Sequence, residues 1–470
     1  PQQSQIQMPF PLQLAPAMQD MLSSATLAIN EAVAARRAAG QETIHLGFGE
    51  ASFPLHPLLR GALDEAAGQT GYAPVLGIAA LREAIAGYLS RTRHLETTAA
   101  AIAVGPGSKP LIYALLHVLD GDLLLPAPSW VSYAPHARLA GKQVIGVATN
   151  DSDHHGLTPQ ALTGALSLAR AQGADPRILI VNTPSNPTGG MFAQSDVEAL
   201  AAWCRERGIT LISDEIYAEL AHGWREHVSP AAFYPEGCIV TGGLSKAFSA
   251  GGWRLGYAAL PGGAAGARLM NALRALASEI WSSAATPVQA AAVAAYSSHP
   301  DLERYVQRAA RLHGYAAHQL YETLITLGAL CPRPAGGFYL YPDFAPWRSQ
   351  LAALNIHTSD DLARYLLDEW DIATLPGSAF AEDPTALRLR LATSLLYAPL
   401  DASSPREHEA ALWQLLDQTD TIVTTATGYT LTKPLALPAL ARAQARLAEF
   451  IHSLDRPTES NDLYKGSDHE

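Results

Sequence analysis

Thr241-Gly-Gly-Leu-Ser-Lys-Ala-Phe-Ser-Ala-Gly-Gly-Trp-Arg-Leu-Gly256 sets a single lysine, Lys246, in a Gly- and Ser-rich loop directly after the apolar run Cys238-Ile-Val-Thr241. A lysine that attacks a carbonyl must spend time as a free amine, which desolvation or cationic neighbours favour. Ser245 and Arg254 flank it and are suitable donors to a phosphate. Taken alone, the loop also fits an ordinary surface turn. Its surroundings decide between the two.

Upstream, short apolar runs alternate with helical segments. The runs are 101–104 (AIAV), 122–125 (DLLL), 143–148 (QVIGVA), 177–182 (RILIVN), 209–213 (ITLIS), 238–241 (CIVT) and 256–260 (GYAAL). Most are continuous rather than alternating, as expected for strands covered by helices on both faces. Strand–helix alternation over about 200 residues predicts an α/β domain with a parallel or mostly parallel sheet. After about residue 290 a long helical stretch leads to short strands at GGFYLYPDF and LRLRLAT, which predicts a second, smaller α+β domain.

Three further turns follow strands of the first domain. Asn182-Thr-Pro-Ser-Asn-Pro-Thr-Gly189 places Asn186 beyond a strand end, where ligands sit in open α/β sheets, and its amide is a donor for a phenolate oxygen. Ser213-Asp-Glu-Ile-Tyr217 brings Asp214, suited to face a pyridinium nitrogen, and Tyr217, within reach of the ring's 3-oxygen; a helix-capping carboxylate is the plainer reading of Asp214. Gly105-Pro-Gly-Ser-Lys109 opens a helix, so the Gly107–Ser108–Lys109 turn is a candidate anion site. Pro128-Ser-Trp-Val-Ser-Tyr133 offers Trp130 for stacking on a ring, or for simple core packing. A lysine together with phosphate donors suggests pyridoxal 5'-phosphate held as a Schiff base.

With these motifs in this order, the chain resembles the class I/II aminotransferases, the aspartate aminotransferase-like branch of the fold-type I pyridoxal-phosphate enzymes, over roughly residues 20–418. The resemblance implies a large domain with a mostly parallel seven-stranded sheet beside a small α+β domain. It implies Lys246 as Schiff-base lysine and proton shuttle, Asp214 on the ring nitrogen, Asn186 and Tyr217 on the 3-oxygen, and Trp130 over the ring. Gly107, Ser108, Lys109, Ser245 and Arg254 would surround the phosphate. Tyr72, in GYAPVLGIAALREAI, matches a tyrosine extended to the neighbouring subunit's phosphate, so a homodimer with shared active sites is implied. Arg390, in LRLRLATS, matches the clamp on the substrate α-carboxylate, and Gly49, in LGFGEASFP, the loop glycine that touches it. The implied activity moves an amino group between an L-amino acid and a 2-oxo acid. The alternative is a lyase, γ-replacement or cyclase reaction on the same cofactor, as in ACC synthase-like use of S-adenosylmethionine. Lys109 also matches a lysine of the bacterial branch that reads a distal carboxylate. Departures from the family pattern are Gly49-Glu-Ala-Ser-Phe53, where Gly-Glu-Pro-Asp-Phe is usual, and Gly243, where many members carry serine.

Composition excludes other classes. Of 470 residues 48% are hydrophobic, enough for a sizeable core, and the net charge is −12 without a long basic run, which argues against a nucleic-acid binder. A non-catalytic regulator on this fold usually carries a fused DNA-binding domain, and no helix-turn-helix arm or basic patch is visible. Cys204, Cys238 and Cys331 are widely spaced and odd in number, which fits a reducing compartment, with no disulfide framework and no metal site. No signal peptide and no membrane span are read, so the expected setting is the cytoplasm. The expected organisation is an arm and helix over 1–60 that joins the small domain, a large domain over 61–310, a small domain over 311–418, and an extension over 419–470 with a disordered end. In the first segment, residues 19–40 show helical spacing of Met21, Leu22, Leu27, Ile29 and Val33.

Overall fold

Seven strands build the central sheet: β1 (Ile102–Gly105), β2 (Asp122–Ala127), β3 (Val144–Ala148), β4 (Pro176–Asn182), β5 (Thr210–Asp214), β6 (Cys238–Gly243) and β7 (Gly256–Ala259). The computed structural model describes residues 14–18, 21–149, 155–397 and 404–455, so the expected disorder of the last ten residues lies outside the described residues. Spatial order is β1-β7-β6-β5-β4-β2-β3, and β7 alone runs antiparallel to its neighbours. The mostly parallel sheet expected from the apolar runs is therefore present.

Those runs are continuous because each strand feeds two cores. Ile102, Val104, Leu179, Val181 and Leu211 enter one apolar cluster, while the interleaved Ala103, Ile178, Ile180 and Ile212 enter the other. Successive side chains of a strand point to opposite faces, so helices on both faces demand apolar residues at every position. Each fully buried Leu or Ile contributes about 1.5–3 kcal/mol, which is how these short strands outweigh their ordering cost.

Register puts the chemistry at one end of the sheet. Asn182 pairs with Asp214, and Asp214 pairs with Thr241, across the C-terminal ends of β4, β5 and β6. A second, three-stranded sheet orders Leu375–Pro376, Leu389–Ala392 and Tyr339–Leu340, with Arg390 opposite Leu375. The short strand Ile44–His45 pairs in parallel with Ile372–Ala373, which carries the following Gly47–Gly49 turn beside Arg390.

Two regions differ from the sequence reading. The helix expected over 19–40 spans Ala25–Ala38, with Leu22 89% exposed and Leu27 lining a cavity instead of a core. Val33 is buried and Ile29 packs against Tyr341, Leu375 and Phe380, as the spacing predicts. Beyond the helix Pro405–Gln418, the tail forms a hairpin, Ile422–Thr425 with Gly428–Leu431, and the helix Pro438–Leu454. Leu440, Leu447, Phe450 and Ile451 of that helix are buried in the main core, Phe450 against Phe344 and Trp370. No helix among the described residues is long and apolar enough to cross a membrane.

Candidate active site

A cavity of about 390 Å³ opens at the C-terminal ends of β4–β6. Gly49, Ser108, Lys109, Trp130, Asn186, Asp214, Tyr217, Ser245, Lys246, Arg254 and Arg390 all line it. Residues from seven separate stretches of sequence thus meet around one space. Gly107 stands just behind the wall, and Tyr72 lies outside it, 94% exposed.

The β6–β7 loop carries Lys246 into the cavity, where Nζ donates to the Gly49 carbonyl at 2.7 Å. Burial is the largest influence on this amine and pushes it down to about 8; nearby Glu50 opposes the shift, while Arg390 and Arg254 add to it. A substantial neutral fraction near physiological pH follows.

Asp214 closes β5 and is fully enclosed. Its Oδ2 accepts from the Tyr133 hydroxyl at 2.7 Å, and Oδ1 from the Thr241 hydroxyl at 3.2 Å. Burial raises the carboxyl to about 6 in spite of these hydrogen bonds. Among the described residues no lysine, arginine or histidine pairs with it, so a cationic group in the cavity would be its natural counter-charge.

Asn186 is fixed by its neighbours. Its backbone N–H donates to the Asn182 side chain at 2.7 Å, and Asn182 in turn donates to the Asp214 carbonyl at 2.8 Å. Its side-chain oxygen accepts from Arg390 Nη1 at 3.2 Å. Arg390 is fully buried, stacks between Tyr339 and Phe380 at 4.9 and 5.2 Å, and donates from Nη2 to the Gly47 carbonyl. Among the described residues its Nε has no partner, an orphan donor that a carboxylate oxygen would satisfy.

At the opposite end a helix N-terminus and an arginine meet. Gly107, at φ +106°, caps the helix Ser108–Val118, and a Cβ there would lie 2.4 Å from Arg254 Nη2. Only glycine permits both this backbone angle and the approach of the guanidinium to the helix N-terminus. Between the two ends, Lys109 Nζ lies 5.0 Å over the Trp130 ring, its pKa lowered by burial and by Arg254.

Sequence reasoning assigned no role to two residues that the structure makes central. Tyr133 is the closest partner of Asp214, although its turn was recognised. Tyr339 places its hydroxyl 2.8 Å from that of Tyr217 and 3.4 Å from Asn186 Nδ2, and a Cβ on Gly49 would collide with it. The aromatic run GGFYLYPDF was the available signal for Tyr339.

Comparison with known proteins places this geometry. The profile of the family "Aminotransferase class I and II" matches residues 41–395. The chain belongs to this family. An aspartate aminotransferase of Geobacillus stearothermophilus is 35% identical over 82% of this chain and 95% of its own length, and one of Bacillus subtilis is 32% identical over 82% and 95%. Among solved structures, aspartate aminotransferase from Thermus thermophilus with maleate superposes with a TM-score of 0.73 at 30% identity, covering 86% of this chain and 99% of that one. The architecture is the fold-type I arrangement of these aminotransferases, and aminotransferase activity, not a lyase or cyclase reaction, is what the relatives share.

Proposed function

We propose that this chain is a pyridoxal 5'-phosphate-dependent aminotransferase acting on dicarboxylic amino acids and their 2-oxo acids, as a homodimer in the cytoplasm. The residues fit the cofactor. A buried carboxylate without a counter-cation, a partly desolvated lysine and an arginine-backed helix N-terminus match its pyridine nitrogen, aldehyde and phosphate in turn. Asp214 would hold the nitrogen, Asn186 and Tyr217 the phenolic oxygen, Trp130 the ring face, and Gly107, Ser108, Lys109, Ser245 and Arg254 the phosphate. Tyr72, exposed here, would complete the phosphate site of the partner subunit.

Bound pyridoxal 5'-phosphate supplies an aldehyde for condensation with amines and a protonated pyridine that draws electron density from the substrate Cα. The chain's residues do the rest. Arg390 fixes the substrate α-carboxylate through its open Nε–H and so orients the Cα–H bond. Lys246, as a neutral amine, would take the Cα proton on Nζ, a role that its lowered pKa favours. Asp214, whose charge the Tyr133 and Thr241 hydroxyls support, would hold a proton at the ring nitrogen. Lys109 is the residue available for a distal carboxylate, in keeping with the names of the relatives.

The observation that carries this reading is the convergence of Lys246, Asp214, Asn186, Tyr217 and Arg390 on one cavity. Its test is the formation of glutamate from 2-oxoglutarate with a panel of donors. Aspartate should be the preferred donor, and Lys109→Ala, assayed at saturating cofactor, should raise the KM for aspartate at least tenfold more than it raises that for alanine. Preference for an apolar donor in the unaltered enzyme would contradict the dicarboxylic assignment.

A further inference from the structure

The tail touches the active-site wall from behind. The hairpin Ile422–Thr425 with Gly428–Leu431 lies against the middle of the helix Pro300–Thr326, beyond the residues matched by the family profile. Tyr429 stands edge-on to His318 at 5.8 Å, and its hydroxyl donates to the His222 carbonyl at 2.6 Å. It reaches that carbonyl through a gap in the helix: a Cβ on Gly314 would lie 2.0 Å from the Tyr429 oxygen. Glycine is unfavourable in a helix interior, so its presence here calls for a packing reason, and the hydroxyl provides one.

His222 ties two short segments together. Its backbone N–H donates to the Ala335 carbonyl at 2.8 Å, and its Nε2 lies 2.8 Å from the Gly337 carbonyl. Gly337 N–H donates back to the Leu220 carbonyl at 2.9 Å. The two segments, 217–222 and 335–339, begin and end with the hydroxyl pair Tyr217–Tyr339 of the active site. A second tie runs from Arg333 Nη1 to the Ala426 carbonyl in the hairpin turn, at 3.0 Å.

We propose that the C-terminal hairpin is a positioning element for the active site, with Tyr429 holding the His222 backbone and thereby the Tyr217–Tyr339 pair. The inference rests on the aminotransferase reading of the cavity for its catalytic consequence, though not for its structural one. Tyr429 touches neither substrate nor cofactor. It acts through two segments that carry residues which do.

The test is Tyr429→Phe in the full-length holoenzyme, which keeps the ring and removes the hydroxyl. The backbone amides of His222 and Gly337 should exchange with deuterium about five- to tenfold faster, the size of one lost hydrogen bond, while the helix Pro438–Leu454 keeps its protection. The kcat should fall by a similar factor with KM for aspartate changed less than twofold, because Phe380, Asn186 and Gly47 still hold Arg390. Gly314→Ala, which crowds out the same hydroxyl, should give the same losses, and the double variant should lose less than the product of the two. Unchanged exchange at the two amides, unchanged kcat despite faster exchange, or multiplicative losses would each overturn the proposal. A wild-type protein without transaminase activity would overturn the functional reading alone, and amide exchange would still decide whether the hairpin holds the two segments.

Discussion

Replacing Arg390 by methionine tests the substrate clamp. The guanidinium is wholly buried, sandwiched by Tyr339 and Phe380, and holds the Asn186 side chain and the Gly47 carbonyl while Nε stays open. Methionine keeps most of the stem volume in that slot. The charge-assisted hydrogen bond from Nε to a carboxylate, at about 1.5–3 kcal/mol, would be lost. At about 1.4 kcal/mol per decade, kcat/KM for aspartate falls by roughly 10 to 10². Most of the loss should appear in KM, because the carboxylate is held alike before and during proton transfer. The assay pairs aspartate with 3-aminopropanoate, which lacks the α-carboxylate and should react equally slowly with both proteins. Thermal unfolding shows that the variant is folded, since Asn186 and Gly47 each lose a donor. A loss below about fivefold on aspartate, or an equal loss on both amines, would refute the clamp.

Three other outcomes follow from the geometry. Tyr133→Phe removes the shortest hydrogen bond to Asp214, so its carboxyl, already lifted to about 6 by burial, rises further. The acid limb of the kcat/KM profile should then move to higher pH by roughly one unit, equivalent to about 1.4 kcal/mol, and an unmoved limb contradicts the pairing. Gly107→Ala places a Cβ against Arg254 at a backbone angle of +106°, so cofactor affinity, measured by dialysis and absorbance, should weaken at least tenfold; unchanged retention argues against the phosphate site. Tyr72→Ala and Lys246→Ala, each inactive, should regain about one quarter of wild-type activity after random subunit mixing, and no recovery would mean that Tyr72 does not act across an interface.

The sheet was legible because burial on both faces leaves an unmistakable mark. Each of the seven expected strands lies within two residues of its observed ends, from Ile102–Gly105 to Gly256–Ala259. That the candidate residues meet was legible where they follow a strand: Asn186 after β4, Asp214 at the end of β5 and Lys246 after β6 line one cavity because adjacent parallel strands end together. The hydroxyl network was not legible. Tyr217 and Tyr339 meet across 122 residues, and Tyr133 and Asp214 across 81, so no local pattern encodes either contact. Apolar spacing misled at Met21 and Leu22, which precede the helix, and at Leu27, which lines the cavity, whereas Ile29 and Val33 of the same pattern do pack against cores. The tail was underestimated for a related reason. Spacing in 438–454 marks an amphipathic helix without saying that Phe344 and Trp370 are what it covers.

The central claim is that Lys246 and its neighbours pass an amino group from an amino acid to bound pyridoxal 5'-phosphate. An anaerobic single-turnover titration of the yellow holoenzyme with individual amino acids, following cofactor absorbance and product mass together, tests it most directly. Aspartate should convert the cofactor to its amine form with release of one equivalent of oxaloacetate, and Lys246→Ala should show neither change on that timescale. Product formed without conversion of the cofactor, or full conversion by the Lys246→Ala protein, would contradict the account.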